Sequence, residues 1–221
     1  MEILNEEIFN YLNGFVSDES GILGEIQQSA ARNHVPIIKK EVAVFLKTIL
    51  SIKKPFSILE IGTAVGFSAS LMSAYLRQDG FIYTIERNEK RFLEATKNIE
   101  KQGLKNITIF KGDALEVIKT LDKTFDVIFL DAAKSQYINM LDDCLKLLND
   151  DGIIIADNVL QNGTVALDIK EIERRHRTIH RRMNTFISVM AENADFNSTV
   201  VPIGDGILLS VKKSKIKNVK K

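Results

Sequence analysis

The amino-acid sequence predicts an α/β fold with a mostly parallel sheet and helices on both of its faces. After Pro55, short apolar segments alternate with segments of helical spacing, an order typical of parallel strands joined by helices. Near the end of the chain, Gly204-Asp205-Gly206 separates two apolar runs, which indicates an antiparallel hairpin at the edge of the sheet.

The elements follow from the spacing of apolar residues along the chain. Residues 1–54 read mostly as helix. Five buried strands are then predicted at Ser57–Ile61, Phe81–Glu86, Ile107–Lys111, Phe125–Leu130 and Ile153–Asp157. The helices between them are predicted at Ser68–Arg77, Glu89–Gln102, Leu115–Leu121 and Gln136–Leu148. A long polar helix, about Leu167–Glu192, leads to the hairpin strands Thr199–Ile203 and Ile207–Val211.

Length and composition predict one domain, residues 1–212, followed by a basic and flexible tail at 213–221. Hydrophobic residues make up 45% of the 221 and charged residues 27%, which excludes disordered and fibrous classes. The single cysteine, Cys144, excludes a disulfide scaffold and a cysteine-based zinc site. Since neither a secretory signal nor a membrane-spanning segment is visible, we expect a cytoplasmic protein with no membrane partner.

The charges are unevenly distributed although the formal net charge is only +1. Lys170–Arg182 carries +4 and Lys212–Lys221 carries +6, so the rest of the chain carries −9. A near-neutral sum therefore does not exclude a nucleic-acid partner. The alternative is a solvated helix face and a frayed tail.

A glycine loop follows the first strand, in the segment from Glu60 to Ser68. Gly62 and Gly66 allow the backbone to approach a ligand closely. The second strand ends in Glu86, and an acid there can accept hydrogen bonds from the ribose hydroxyls of a nucleoside cofactor.

A further acid, Asp113, follows the third strand and has two interpretations. It could reach the edge of an adenine, or it could cap the helix that begins after it. Dinucleotide-binding loops usually have three glycines, whereas this loop has two. The loop therefore favours another nucleoside cofactor over a dinucleotide, and a nicotinamide dehydrogenase stays an alternative function.

Oxygen-bearing side chains end the fourth and fifth strands. Asp131 ends one, and Asp157 followed by Asn158 ends the other. Since the carboxyl ends of parallel strands meet at one crevice, these donors favour a hard cation such as Mg²⁺, although each acid could instead cap a helix. Lys134, three residues after Asp131, is either a general base or a surface lysine.

Together these motifs resemble the cation-dependent O-methyltransferases, the group of catechol and caffeoyl-CoA O-methyltransferases. The likeness lies in LEIGTAVGFSA, YTIERN, GDA, FLDAAK and DNV. It implies a seven-stranded Rossmann-like methyltransferase fold that binds S-adenosylmethionine and Mg²⁺ (or Mn²⁺ or Ca²⁺), and it also suggests a homodimer.

By this resemblance Asp131, Asp157 and Asn158 would hold the metal, and Lys134, beside Asp131, would be the catalytic base. The implied cofactor-binding residues are Glu60, Gly62, Thr63, Gly66, Ser68, Glu86, Asp113, Ala114 and Asp131.

A closer resemblance is to the bacterial branch that methylates 5-hydroxyuridine at the tRNA wobble position. HVPI, DVIFLDAAKSQY and the Arg-rich stretch Arg174–Arg182 carry it, whereas Gln161-Asn162-Gly163 departs from that branch. The tRNA anticodon loop is therefore the expected partner. Its contacts would come from Val35, Pro36, Ile37, Arg174, Arg175, Arg177, Arg181 and Arg182.

Two other functions stay open at this point. A catechol presents two adjacent oxygens to a metal, as 5-hydroxyuridine does, so the same motifs also fit an enzyme of small catechol-like or caffeoyl-CoA-like molecules. The second alternative is a non-catalytic RNA-binding module that retains the fold.

Overall fold

The computed structural model describes residues 5–214. Its strands are β1 (Ser57–Ile61), β2 (Phe81–Glu86), β3 (Ile107–Lys111), β4 (Phe125–Leu130), β5 (Leu148–Ala156), β6 (Phe196–Val201) and β7 (Ile207–Lys212). Its α-helices are α1 (Glu6–Asn13), α2 (Gly21–Arg32), α3 (Lys40–Lys53), α4 (Phe67–Ser73), α5 (Glu89–Lys101), α6 (Ala114–Val117), α7 (Tyr137–Leu147) and α8 (Arg177–Glu192). Short 3₁₀ helices lie at Ile118–Thr120, Lys134–Gln136, Thr164–Ala166 and Arg174–His176.

All seven strands form one sheet in the order β3-β2-β1-β4-β5-β7-β6. Strands β1 to β5 pair in parallel, while β7 runs antiparallel to both of its neighbours, β5 and β6. The predicted fold class, including the terminal hairpin, is confirmed.

Helices cover both faces of the sheet, which explains why its central strands are apolar throughout. Along β1, Leu59 and Ile61 belong to the core beneath α7 and α8, and Ile58 belongs to the core beneath α2, α3 and α4. A strand that is buried on both faces requires apolar residues at successive positions instead of at every second one.

The prediction of a long helix at Leu167–Glu192 is wrong for its first ten residues, because α8 begins only at Arg177. Before it, Asp168 Oδ1 accepts the Lys170 amide at 2.8 Å, and Glu171 Oε2 accepts the Asp168 amide at 3.1 Å. Such local bonds from side chain to backbone compete with helical hydrogen bonds.

Two strand boundaries also differ from the prediction. Strand β6 ends at Val201, because Pro202 has no N–H to donate. Strand β5 begins five residues earlier than predicted, with a register shift against β4 between Phe125 and Val127.

The two ends of the described chain contribute little to the core. Helix α1 has no buried residue. Of the predicted tail, Lys213 and Ser214 are exposed, and 215–221 lie outside the described residues. Within residues 5–214, no helix has the length and apolar character needed to cross a bilayer.

The Asp126 carboxylate joins three strands at the end of the sheet opposite the predicted ligand crevice. It accepts the Phe56 amide just before β1 at 2.7 Å, and Asn149 Nδ2 of β5 at 2.9 Å. Burial acts to raise its pKa, but these hydrogen bonds hold the pKa below its usual range. Asp126 therefore aligns β1, β4 and β5 in its ionised form.

We expect Asp126→Asn to lower the free energy of unfolding by about 2 kcal/mol, because hydrogen bonds to a charged acceptor are lost. Urea denaturation measures the change, and Asp122→Asn is the matched control because Asp122 is an exposed acid. Equal unfolding free energies for the two variants would contradict this role.

Candidate functional site

A cavity of about 520 Å³ opens at the carboxyl ends of the parallel strands. Parallel α/β sheets bind ligands at this edge. The cavity brings together ten of the predicted site residues: Pro36, Ile37, Gly62, Glu86, Asp113, Ala114, Asp131, Lys134, Asp157 and Asn158.

The glycine loop between β1 and α4 approaches the end of β4 more closely than a side chain would permit. Gly62 has a φ of +109°, and a Cβ on it would lie 2.2 Å from the carbonyl oxygen of Asp131. The Asp131 amide donates to the Ile61 carbonyl at 2.9 Å, which fastens the two strand ends together. Glycine at position 62 is therefore a steric requirement.

Glu86 lies in the cavity wall, and backbone amides fix its carboxylate. Ala64 donates its N–H to Oε2 at 2.9 Å, and Asn88 donates to Oε1 at 2.7 Å. Each carboxylate oxygen retains a further lone pair for a ligand hydroxyl. The structure thus holds the Glu86 carboxylate in a fixed orientation at the cavity wall, while its role toward a ribose stays a prediction.

Glu60 does not line the cavity. It is fully buried behind the loop, where it accepts hydrogen bonds from Ser68 Oγ and Thr84 Oγ1, each at 2.5 Å. Burial is the main cause that raises its pKa to about 7. Thr84 also contacts Thr63 Oγ1 at 2.6 Å.

Three further predicted cofactor residues, Thr63, Gly66 and Ser68, are likewise buried outside the cavity wall. Gly66 is in the left-handed conformation and precedes the first residue of α4. Together with Glu60, these residues are placed to shape the loop, while Gly62 and Ala64 face the ligand space.

Asp113 caps a helix, as one of its two interpretations predicted, and its role toward an adenine stays a prediction. Its carboxylate accepts the Leu115 amide at 2.9 Å as the N-cap of α6, and the residue also lines the cavity.

Asp131 and Asp157 directly follow the neighbouring strands β4 and β5, and their surroundings disfavour the charged form of both acids. Burial raises the pKa of Asp131 to about 6. Burial and the charge of Asp131 raise the pKa of Asp157 to about 7. The positive charge of Lys134 acts in the opposite direction on both pKa values.

This donor set fits a hard divalent cation. Asn158 adds an amide beside the two carboxylates, and its backbone, at φ +57°, donates to Asp157 Oδ1 at 2.7 Å. A cation between the carboxylates would offset the cost of burying both charges. No group of three or more His, Cys, Asp or Glu with metal-site character occurs in 5–214, so the fit rests on these two acids and the amide.

Tyr137 supports the ends of both acid-bearing strands. Its fully buried hydroxyl lies 3.0 Å from the Leu130 carbonyl and 3.2 Å from the Asp157 carbonyl. Lys134 lies in the 3₁₀ helix just before Tyr137 and lines the cavity.

Of the three consecutive residues predicted to contact the substrate, Val35, Pro36 and Ile37, two lie at the cavity. Pro36 and Ile37 line the cavity, whereas Val35 does not; it packs against the core beneath α2, α3 and α4. Its amide donates to the Ala30 carbonyl at 2.9 Å, which closes the end of α2.

None of the five arginines in Arg174–Arg182 lines the cavity, and three of them contact the protein itself. Arg177 Nε donates to the Ile172 carbonyl at 2.9 Å, and Arg182 Nη1 donates to the Ser135 carbonyl at 3.2 Å. Arg175 pairs with Glu173 at 2.8 Å. Arg174, Arg175 and Arg181 are exposed, so the pair of Arg175 with Glu173 lies at the surface.

Sequence reasoning missed several cavity residues. The missed lining residues are Lys39, Ile61, Ala64, Ile85, Arg87, Arg91, Gly112, Leu115, Ala132, Ala133, Gln136 and Met140. A signal existed for two of them: Arg87 directly follows Glu86, the predicted ribose acid, and Arg91 lies in the first turn of α5.

Comparisons with known proteins agree on one family. The family model described as O-methyltransferase matches residues 14–213. A catechol O-methyltransferase of Niastella koreensis is 29% identical over 95% of this chain and 100% of its own length. Caffeoyl-CoA O-methyltransferase 2 of Populus trichocarpa is 29% identical over 75% of this chain and 70% of its own.

Among solved structures, an O-methyltransferase from Bacillus cereus in complex with SAH (S-adenosylhomocysteine) superposes with a TM-score of 0.81 at 26% identity. The match covers 94% of this chain and 97% of that one.

We expect Gly62→Ala to weaken S-adenosylhomocysteine binding at least about tenfold, because the new Cβ displaces the Asp131 carbonyl and with it the loop. Gly103→Ala is the matched control: Gly103 also has positive φ, at +68°, but a Cβ there meets nothing within 4 Å. Isothermal titration calorimetry measures both affinities. Equal affinities would show that the close approach at Gly62 does not matter for the cofactor.

Proposed function

Because the chain belongs to the O-methyltransferase family, we propose that it methylates a hydroxyl of a small catechol-like or caffeoyl-CoA-like molecule. The methyl donor is S-adenosylmethionine, and a divalent cation assists. The carrying observation is that one cavity contains both the ribose acid Glu86 and the acid pair Asp131 and Asp157.

The donor would occupy the part of the cavity near β2 and β3. Glu86 would accept the ribose hydroxyls, and Asp113 would lie at the adenine edge, since these acids end the second strand and follow the third. S-adenosylmethionine supplies an electrophilic methyl group on a sulfonium. The backbone at Gly62, which lines the cavity, would lie against the donor.

The acceptor would occupy the part of the cavity near β4 and β5. Asp131, Asp157 and Asn158 would hold the cation, which when bound lowers the pKa of an acceptor hydroxyl. Lys134 Nζ would take the hydroxyl proton. The acceptor oxygen then bonds to the methyl carbon in line with the carbon–sulfur bond that breaks.

Two findings favour a small acceptor over the tRNA expected from sequence. The relatives reported above are named for catechol and caffeoyl-CoA. In addition, Arg177 and Arg182 donate to backbone carbonyls of the protein, so these two side chains have a role without RNA.

The tRNA wobble 5-hydroxyuridine is the second candidate acceptor. It is favoured by exposed Arg174 and Arg181 and by the packing of α8 against the 3₁₀ helix that carries Lys134. Cations placed there would neutralise backbone phosphates beside the cavity. A cytoplasmic homodimer stays a prediction for either acceptor.

Incubation with S-adenosylmethionine, Mg²⁺ and either catechol or caffeoyl-CoA should yield a methylated product by mass spectrometry. We expect EDTA, or Asp157→Asn, to lower kcat/KM by about a hundredfold or more, because the cation is lost or weakly held. Asp122→Asn is the control, and S-adenosylhomocysteine affinity should change little in Asp157→Asn. Full activity in EDTA would contradict a role for the cation.

The same reaction with tRNA from cells that lack 5-methoxyuridine tests the second candidate. We expect no 5-methoxyuridine in the digested nucleosides. If the nucleoside forms, falls steeply with added salt and is lost in Arg174→Glu/Arg175→Glu while catechol turnover is absent, the acceptor is tRNA.

A further inference from the structure

Helix α8 contacts the loop that carries Lys134 at two points one helical turn apart. Arg182 Nη1 donates to the Ser135 carbonyl at 3.2 Å. The Phe186 ring lies edge-on to the Tyr137 ring, with centroids 5.5 Å apart. Residues four apart share a helix face, so one face of α8 holds both ends of the segment Ser135–Tyr137.

The segment has weak internal bonding of its own. Lys134–Gln136 is a single 3₁₀ turn, in which the Tyr137 amide donates to the Lys134 carbonyl. The Gln136 amide donates to the Ala133 carbonyl at 2.8 Å. Short 3₁₀ turns have poor hydrogen-bond geometry, and their terminal carbonyls need partners from elsewhere.

Arg182 meets this need with a charged donor. Its side chain is half-buried, and the guanidinium points inward to Ser135, the residue directly after Lys134. Hydrogen bonds from an ionised donor are stronger than those between neutral groups. The planar guanidinium also fixes the direction of the contact, unlike an ammonium.

The second point of contact extends to the acids. Phe186 packs on Tyr137, whose hydroxyl bonds with the carbonyl of Leu130 or Asp157 at the strand ends. Arg182 and Phe186 thus support Lys134 and the two acid-bearing strands from the same side.

We infer that Arg182 is a positioning residue for methyl transfer: through the Ser135 carbonyl it holds Lys134 in the cavity. The expected effect of Arg182 on methyl transfer rests on the proposed function. The structural part, an ordered turn that depends on Arg182, holds for any reaction in this cavity.

The test compares Arg182→Gln with Arg182→Lys and with Lys97→Gln, which removes one exposed charge on α5. Hydrogen–deuterium exchange of the peptide 131–140 reports the turn without any substrate. We expect faster exchange in Arg182→Gln, an intermediate rate in Arg182→Lys, and no change in Lys97→Gln. An unchanged rate in Arg182→Gln would overturn the inference.

Kinetics with an acceptor that the wild-type enzyme methylates test the consequence. We expect kcat to fall about tenfold to a hundredfold in Arg182→Gln, while KM and the dissociation constant of S-adenosylhomocysteine change less than about twofold. Arg182→Lys should recover part of kcat. A loss confined to KM, or to thermal stability, would overturn the positioning role.

The outcomes separate the two hypotheses. If the wild-type protein methylates neither small acceptor, the proposed function fails while the exchange result still decides the role of Arg182. Should Arg182→Gln fail to fold, Arg182→Lys replaces it in both measurements, with a smaller change expected in the same direction.

Discussion

Four carboxyl groups lie at the carboxyl ends of the parallel strands, and the free-energy cost of burying them shapes the surrounding structure. Glu60, Glu86 and Asp157 are buried, and Asp131 is half-buried. For Glu60 this cost is offset within the protein, because two hydroxyl groups donate hydrogen bonds to its oxygens. Asp131 and Asp157 directly follow neighbouring strands, and their pKa values are raised to about 6 and 7. A cation bound between these two acids would offset the cost of burying their charges. The arrangement would therefore favour binding of a cation.

The glycine loop connects this acid pair to the other half of the cavity. With no side chain at Gly62, the loop rests on the Asp131 carbonyl, and its Ala64 amide reaches across to Glu86. Glu86 at the end of β2 and Asp131 directly after β4 are therefore held relative to each other by backbone contacts. In-line methyl transfer needs this fixed relation between donor and acceptor, since small displacements of the reacting atoms are costly.

The arginine-rich stretch Arg174–Arg182 shows what a charge pattern leaves open about structure. Five arginines within nine residues predicted an RNA surface, and a continuous helix was expected to present them. The helix instead begins at Arg177, and Arg177 and Arg182 donate to backbone carbonyls. A count of charges records their number but not whether the side chains point outward.

The sequence by itself determined the order of strands and helices, the terminal hairpin and the main cavity residues, from Glu86 and Asp113 to Asp131 and Asp157. Apolar periodicity records burial locally, and a parallel sheet then brings its strand ends to one edge. Only the tertiary structure decided that Glu60 lies behind the loop and that Arg182 reaches Ser135, 47 residues away. Such contacts depend on how α8 packs against the sheet, and no local spacing of residues encodes that packing.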